Sequence, residues 1–201
     1  MGRRSDHSRE ELQVLIIEAT LNLVKEHGAD RVTARQIAAS VGYTPGMLYS
    51  VFINLQDIFL HVNQVGLRTL YQLCKNAQLE SDTPADAIKA MGLTYLRFAE
   101  EHTHQFDLMF ARHIQHPEVT PVELSNQIQV LFELIEGQLR LLNRTASETL
   151  LQQTARSLWS GVHGIAALRL SNQLYLEQAE ADRNIMAILV TGIVQQWQAA
   201  R

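Results

Sequence analysis

The stretch AASVGYTPGMLYSVF, residues 38–52, limits the possible folds more than any other part of the chain. A helix-forming run stops at Gly42 and restarts at Thr44 and Pro45, where proline's fixed φ and missing N–H suit the first helical position. Leu48, Tyr49, Val51 and Phe52 then belong to a second helix of barely two turns. Two helices this short, joined by so tight a corner, bury little between themselves and must lean on a third element. Leu48, Val51 and Phe52 are expected to face that support, which leaves Tyr49 on the outer side.

The support lies upstream. Leu12, Leu15, Ile16, Ala19 and Leu23 recur at helical spacing, Ser8 and Glu11 form a capping box in front of them, and Gly28 can stop the run. This predicts a helix over residues 8–27. Thr33 and Gln36 repeat the start signal, with Ile37, Ala38 and Val41 as the inward face and Gly42 as the stop. Downstream, Asn54 caps a helix reaching about Lys75, and the polar QLESDTPAD stretch separates it from one starting at Thr83 and Pro84 and ending near His102. Thr103 begins a helix through Ile114, HPEVTP breaks it, and Pro121 opens another to about Leu142. Ser147 opens a helix to about Tyr175, and the last covers 181–199. No stretch alternates with period two long enough for a strand. The expected fold is all-α, with about nine helices: a three-helix helix-turn-helix domain over residues 1–52 and a larger helical domain over 53–201.

Apolar residue types make up 46% of the 201 residues, and only four prolines and ten glycines interrupt them, so long ordered elements are expected. One cysteine, Cys74, excludes an intramolecular disulfide, and the most apolar tract, residues 185–194, is too short to span a bilayer. With no secretory leader in the sequence, a cytoplasmic protein without membrane association is expected. The net charge is −4; residues 1–52 carry six basic and six acidic groups, and the remainder carries eleven against fifteen. A polyanion-binding surface must therefore come from local placement of arginine rather than from net charge.

A helix pair joined by a short glycine-containing turn and backed by an amphipathic helix can place its second helix in a DNA major groove. The segment VTARQIAASVGYTPGMLYSVFINLQDIF resembles the DNA-binding domain of the TetR family of bacterial transcriptional regulators, on Thr33, Ile37, Ala38, Gly42, Leu48, Tyr49 and Phe52. The resemblance covers residues 8 to about 60. It implies that Thr33 caps the second helix and touches a phosphate, and that Arg35 reaches a base edge or a phosphate. It further implies that Thr44, Pro45, Gly46, Met47 and Ser50 form the groove-facing end of the third helix, and that Tyr49 holds the backbone. Arg3 and Arg4 can enter an adjacent minor groove. The family usually carries a lysine directly after the position of Asn54. Leu55 stands there, so one phosphate contact is missing and the salt dependence of binding should flatten by about one unit.

The last helix carries more apolar surface than one chain can cover. Ile185, Ile188, Leu189, Gly192, Ile193 and Trp197 fall near one side, and Met186, Val190 and Val194 widen the stripe. The resemblance implies a homodimer in which the last two helices of each subunit form a four-helix bundle. Trp159, His163 and Gly164 look like the motif of the family's WHG-type C-terminal domain. Trp159 and His163 share a helix face and suit either a packed core or a ligand contact, and Gly164 permits close helix approach. Tyr71, Tyr95, Phe98, Phe106, Phe110, Trp159 and His163 are the candidate lining of a pocket for a mostly apolar small molecule, although Phe106, Met109, Phe110 and His113 are also the pattern of plain core.

His102, His104, His113 and His116 cluster, but neither cysteine pairs nor an H-E-x-x-H helix accompanies them, so surface or capping roles are expected and no metal. No nucleophile elbow, phosphate-cradling glycine loop or buried carboxylate pair is present, and Glu100 and Glu101 are adjacent on a helix and point apart. Neither an enzyme nor a cofactor is expected. The reading is a DNA-binding regulator, a repressor released by a ligand. The alternatives are a DNA-binding interaction module without a ligand, or a small helical enzyme.

Overall fold

The computed structural model describes residues 7–110, 122–175 and 181–199. Among them are nine α-helices, a single 3-10 turn at Ala29–Arg31 and no strand. The helices are α1 (Arg9–His27), α2 (Ala34–Ser40), α3 (Pro45–Leu48), α4 (Leu55–Leu79), α5 (Pro84–Glu101), α6 (Thr103–Phe110), α7 (Val122–Leu142), α8 (Glu148–Leu170) and α9 (Ala181–Ala199). They divide into two compact units, one from Met1–Leu67 and His102–Ser125, the other from Arg68–Glu101 and Asn126–Arg201. Division by packing thus falls inside α4, beyond the functional boundary at residue 52 expected from sequence.

In the first unit the caps of α1 and α2 do what their sequence dictates. The Ser8 hydroxyl accepts from the Glu11 N–H at 3.2 Å, and the Glu11 carboxylate accepts from the Ser8 N–H at 2.7 Å. Thr33 and Gln36 form the same reciprocal pair at the start of α2. α1 buries Leu12, Ile16, Thr20 and Val24, while Leu15, Ala19 and Leu23 flank the stripe half-buried. Thr20 is absent from the apolar pattern because its hydroxyl satisfies itself within the helix, donating to the Ile16 carbonyl at 2.7 Å.

α6 docks at two glycines of this unit. A Cβ on Gly66 would lie 2.7 Å from Met109 Sδ and 2.9 Å from Gln105 Nε2, so a larger residue there would have to displace these two side-chain ends for α6 to lie this close to α4. Nearby, the Asn63 amide donates to the Leu108 carbonyl at 3.4 Å. At Gly28 (φ +78) the ring of His104 passes 3.7 Å from where a Cβ would stand, and its Nδ1–H donates to the Lys25 carbonyl at 2.9 Å. His104 therefore caps the end of α1. Burial holds the Asp107 carboxyl above the usual carboxylate range, with His104 opposing the shift and Asp30 adding to it.

The second unit is built on the mutual packing of α5, α8 and α9. α9 turns toward its own chain the three residues that widen the expected stripe, Met186, Val190 and Val194, together with Trp197, all of them buried, whereas Ile188 is 73% exposed. Close approach occurs at Gly161, where a Cβ would meet Leu189 Cδ2 at 2.5 Å, and at Gly92, which faces Met186. Gly164 was expected to provide it, but a Cβ there meets nothing within 4 Å. α8 stops at Leu170 rather than near Tyr175 because Asn172 takes a left-handed conformation (φ 55). The Gln173 N–H then donates to the Leu168 carbonyl and the Asn172 N–H to that of Arg169, a Schellman closure in which asparagine replaces the usual glycine. α4 runs four residues past the expected Lys75, to Leu79. The expected end of α6 at Ile114 and start of α7 at Pro121 lie outside the described residues, as do His113 and His116.

The far ends of α7 and α9 are clasped. The Trp197 indole N–H donates to the Leu139 carbonyl at 2.8 Å, the Asn143 amide donates to the Trp197 carbonyl at 3.2 Å, and Asn143 Oδ1 accepts from the N–H and hydroxyl of Thr145. Asn143 is 4% exposed, so its loss strands buried partners. Asn143→Ala is expected to lower the unfolding free energy by about 2–3 kcal/mol in chemical denaturation, with the apolar core unchanged.

Candidate functional site

The corner read from sequence is present and points outward. Thr33 and Arg35 are exposed at the start of α2, and Thr44, Pro45, Gly46, Tyr49 and Ser50 are exposed on and around α3. Met47 is half-buried. Leu48 and Phe52 are 0% and 2% exposed and carry the anchoring, while Tyr49 is 47% exposed. Gly42, at φ +74, makes the reversal between the helices. Arg3 and Arg4 lie outside the described residues.

Two details differ from expectation. Thr44 precedes Pro45 as expected, but its hydroxyl makes no capping hydrogen bond; the cap is the Thr44 carbonyl accepting from the Met47 N–H at 3.0 Å. The Thr33 hydroxyl, in contrast, is engaged with Gln36. α3 is also only one α-helical turn and continues as hydrogen-bonded turns through Phe52. Just beyond, Asn54 caps α4 through Oδ1, accepting from the Asp57 N–H at 2.8 Å, and the Asp57 carboxylate accepts from the Ile53 N–H at 2.9 Å. The start of α4 therefore carries a carboxylate and Leu55, without a lysine.

The candidate ligand residues fall into two groups. Phe106 and Phe110 belong to the first unit, where their rings pair at 4.8 Å. Tyr71, Tyr95, Phe98, Trp159 and His163 belong to the second. Phe98 is fully buried at 1%, and Tyr71 lies under the Lys75 ammonium at 5.7 Å. Three residues come together as a polar relay, with Tyr95 buried and Trp159 and His163 half-buried. The Tyr95 hydroxyl shares a hydrogen bond of 2.9 Å with His163 Nδ1 and accepts from the Trp159 indole, and the rings of Trp159 and His163 stack at 5.3 Å and 20°. Indole nitrogen only donates, so the Tyr95 oxygen is the acceptor of the Trp159 bond. Burial, partly offset by the Trp159 bond, holds the Tyr95 phenol protonated, and burial lowers the His163 pKa. The network is neutral at pH 7.

The relay continues into residues that sequence reading missed. Phe132 meets Trp159 edge-on at 5.7 Å, Arg156 lies over Phe132 at 4.4 Å, and Arg156 pairs with buried Glu136 at 2.7 Å. Periodicity marks Phe132 only as apolar; its partners depend on how α7 lies against α8. Cys74 is buried and its thiol is pushed up to about 12, so it stays protonated. Among the described residues no group of three or more histidine, cysteine, aspartate or glutamate side chains is placed to hold a metal.

The outward-facing helix-turn-helix in an all-helical chain defines a DNA-binding transcription regulator. Residues 16–62 match the family described as bacterial regulatory proteins, tetR family, and residues 88–191 match the tetracyclin repressor-like C-terminal domain. The chain belongs to the TetR family, with a WHG-type C-terminal domain. Its fold is similar to that of a putative transcriptional regulator from Pseudomonas aeruginosa PAO1, at 18% identity and TM-score 0.73, over 99% of this chain and 98% of the other. It is also similar to BioQ solved with its natural double-stranded DNA operator, at 20% identity and TM-score 0.64, over 91% and 98%. RolR in complex with resorcinol gives 15% identity and TM-score 0.67, over 96% and 95%. None of the curated proteins matches this sequence.

The lowered pKa of His163 has a consequence for stability. A histidine titrating lower in the folded than in the unfolded chain binds its proton preferentially when unfolded, so stability is full above the ordinary value of 6.5 and falls as pH drops below it. Replacing His163 with asparagine is expected to flatten the fall in melting temperature between pH 7 and pH 5. An unchanged slope would mean that the imidazole titrates alike in both states.

Proposed function

We propose that the protein is a homodimeric repressor that holds a roughly palindromic operator and releases it when a small, mostly apolar molecule binds the second unit. The observation that carries the reading is the corner itself: Leu48 and Phe52 are buried while Thr44, Pro45, Gly46, Tyr49 and Ser50 stand exposed at the amino end of α3. Backbone N–H groups and the Thr44 hydroxyl, which has no capping bond, suit phosphate and base edges there. Arg35 is exposed on α2 and supplies a guanidinium for a guanine edge or a phosphate. Residues 1–52 form the DNA-binding part and 53–201 the sensing and dimerising part. The cytoplasm is its setting, and no helix of the described residues is long and apolar enough to cross a membrane.

The open faces of α8 and α9 support dimerisation through these helices. Ile188 is 73% and Leu168 41% exposed, and Cβ atoms at Gly164 and Gly192 would meet nothing within 4 Å. A partner seated there would cover apolar surface and approach the glycines closely. Two α3 helices would then read half-sites about one DNA turn, roughly 34–36 Å, apart. Release is a population shift: the ligand favours the conformer with wrongly spaced recognition helices, and emptying the operator requires a preference of several kcal/mol. The aromatic relay of Tyr95, Trp159 and His163 is where such a ligand finds polar orientation inside an apolar surround. BioQ with its operator and RolR with resorcinol are consistent precedents in the same fold.

Selection of bound sequences from random duplex DNA tests the reading, and it is expected to return two half-sites about one turn apart. Arg35→Ala is expected to weaken binding to the selected site by about 1–3 kcal/mol. Ile188→Glu is expected to give a monomer in sedimentation and to lose operator affinity with it. No enrichment by the native protein would reject DNA binding; a dimer that survives Ile188→Glu would move the interface elsewhere.

A further inference from the structure

We propose that His61 is a positioning residue for sequence recognition: together with Asp57 it closes a ring of contacts around the bend between α3 and α4, and so sets the orientation in which α3 is offered to DNA. The inference rests on the DNA-binding reading above.

The bend has little else to hold it. α3 is a single helical turn, and Ile53 and Asn54 form the bend before α4 starts at Leu55. Phe52 is 2% exposed whereas Ile53, next in the chain, is 86% exposed, so the chain leaves the core at once and the Ile53 side chain anchors nothing. The fixing comes from α4 instead. The Asp57 carboxylate accepts from the Ile53 N–H through Oδ2 at 2.9 Å. One turn further along, the His61 imidazole donates from Nδ1 to the Asp57 carbonyl at 2.8 Å, and the same nitrogen lies 3.5 Å from the carboxylate Oδ1. A carbonyl oxygen only accepts, so Nδ1 carries a proton. The imidazole held in this way meets the Phe52 ring edge to face, with centroids 5.1 Å apart and planes at 78°. Contacts therefore run from Phe52 along the chain to Ile53, across to Asp57, up α4 to His61 and back to Phe52. Asp57 and His61 are both half-buried.

Phe52 is one of the two side chains on which α3 is seated, so a ring of contacts that fixes Phe52 against α4 also fixes the direction of α3. Hydrogen bonds to base edges depend steeply on distance and angle, whereas attraction to phosphates tolerates misplacement. Opening the ring lowers the fraction of molecules in which α3 is correctly placed. Apparent affinity for the specific site falls by that fraction, and affinity for unrelated duplex does not. A residue that served stability alone would lower both affinities together through loss of folded protein. One that touched phosphate would lower both and flatten the salt dependence.

The test titrates full-length protein against its selected duplex and against a scrambled duplex of the same length and composition, and reads the ratio of the two affinities. His61→Gln is expected to lower this ratio about two- to tenfold, the range of one edge-to-face aromatic pair, with the salt slope unchanged and the melting temperature within about 4 °C of native. Asp57→Ala is expected to lower the ratio by a similar factor, since loss of its charge strengthens both affinities alike. The double variant should fall no further than the more impaired single variant, because either change opens the same ring. His61→Phe, which returns a ring to Phe52, is expected to recover most of the ratio. An unchanged ratio in either single variant, a salt slope lower by about one unit in His61→Gln, losses that multiply in the double variant, or His61→Phe as impaired as His61→Gln would each overturn the proposal while leaving DNA binding in place. A native protein that does not distinguish the two duplexes would bring down both readings.

Discussion

The helix-turn-helix corner depends on the burial of two side chains, Leu48 and Phe52, at 0% and 2% exposure. A helix of four residues has no stability of its own, because nucleation fixes several dihedrals for little hydrogen bonding in return. It exists here because one face is held in the core of the first unit and its start is preset by Pro45 and Gly42. The same anchoring leaves the other face exposed. The exposed face and the local fold therefore follow from one asymmetry: large apolar groups on the inner side, small and polar groups on the outer.

The second unit follows a different logic. Its helices are apolar on more than one side, and intrachain packing of α9 buries Met186, Val190, Val194 and Trp197 and brings Leu189 against Gly161. The remaining surface, with Ile188 and Gly192, is left to a partner in our reading. Three of its polar groups are bonded to one another, Trp159 to Tyr95 and Tyr95 to His163, and the Arg156–Glu136 ion pair lies beyond Phe132. A core of this kind tolerates an uncharged apolar guest better than an ion, whose burial would need a countercharge that these paired groups do not supply.

Much of the fold was legible in the sequence because caps are local. Ser8 with Glu11, Thr33 with Gln36, Asn54 and Ser147 each start a helix by chemistry confined to four residues, and each does so in the structure. Asn172 was missed as a stop because asparagine enters the left-handed region less readily than glycine and reads as ordinary helix surface. Thr20 was missed for a similar reason, since a self-satisfied hydroxyl can occupy a core position that an apolar count rejects. The face of α9 could not be chosen from sequence, where both stripes are apolar; contact with α5 and α8 decides it. Close approach at Gly161 rather than Gly164 is likewise a matter of where Leu189 lands. The hydrogen bond of 2.8 Å between His7 Nδ1 and the Tyr43 hydroxyl joins positions 36 apart, beyond the reach of any periodicity.

The central claim, that the exposed face around α3 is what meets DNA, is tested most directly by amide hydrogen exchange on the full-length protein with and without its selected duplex. Slowed exchange confined to residues 33–50 and the segment before α1, with the cores of both units unaffected, is the result the account predicts. Protection that falls on α8 and α9 instead, while residues 33–50 exchange as in the free protein, would contradict it.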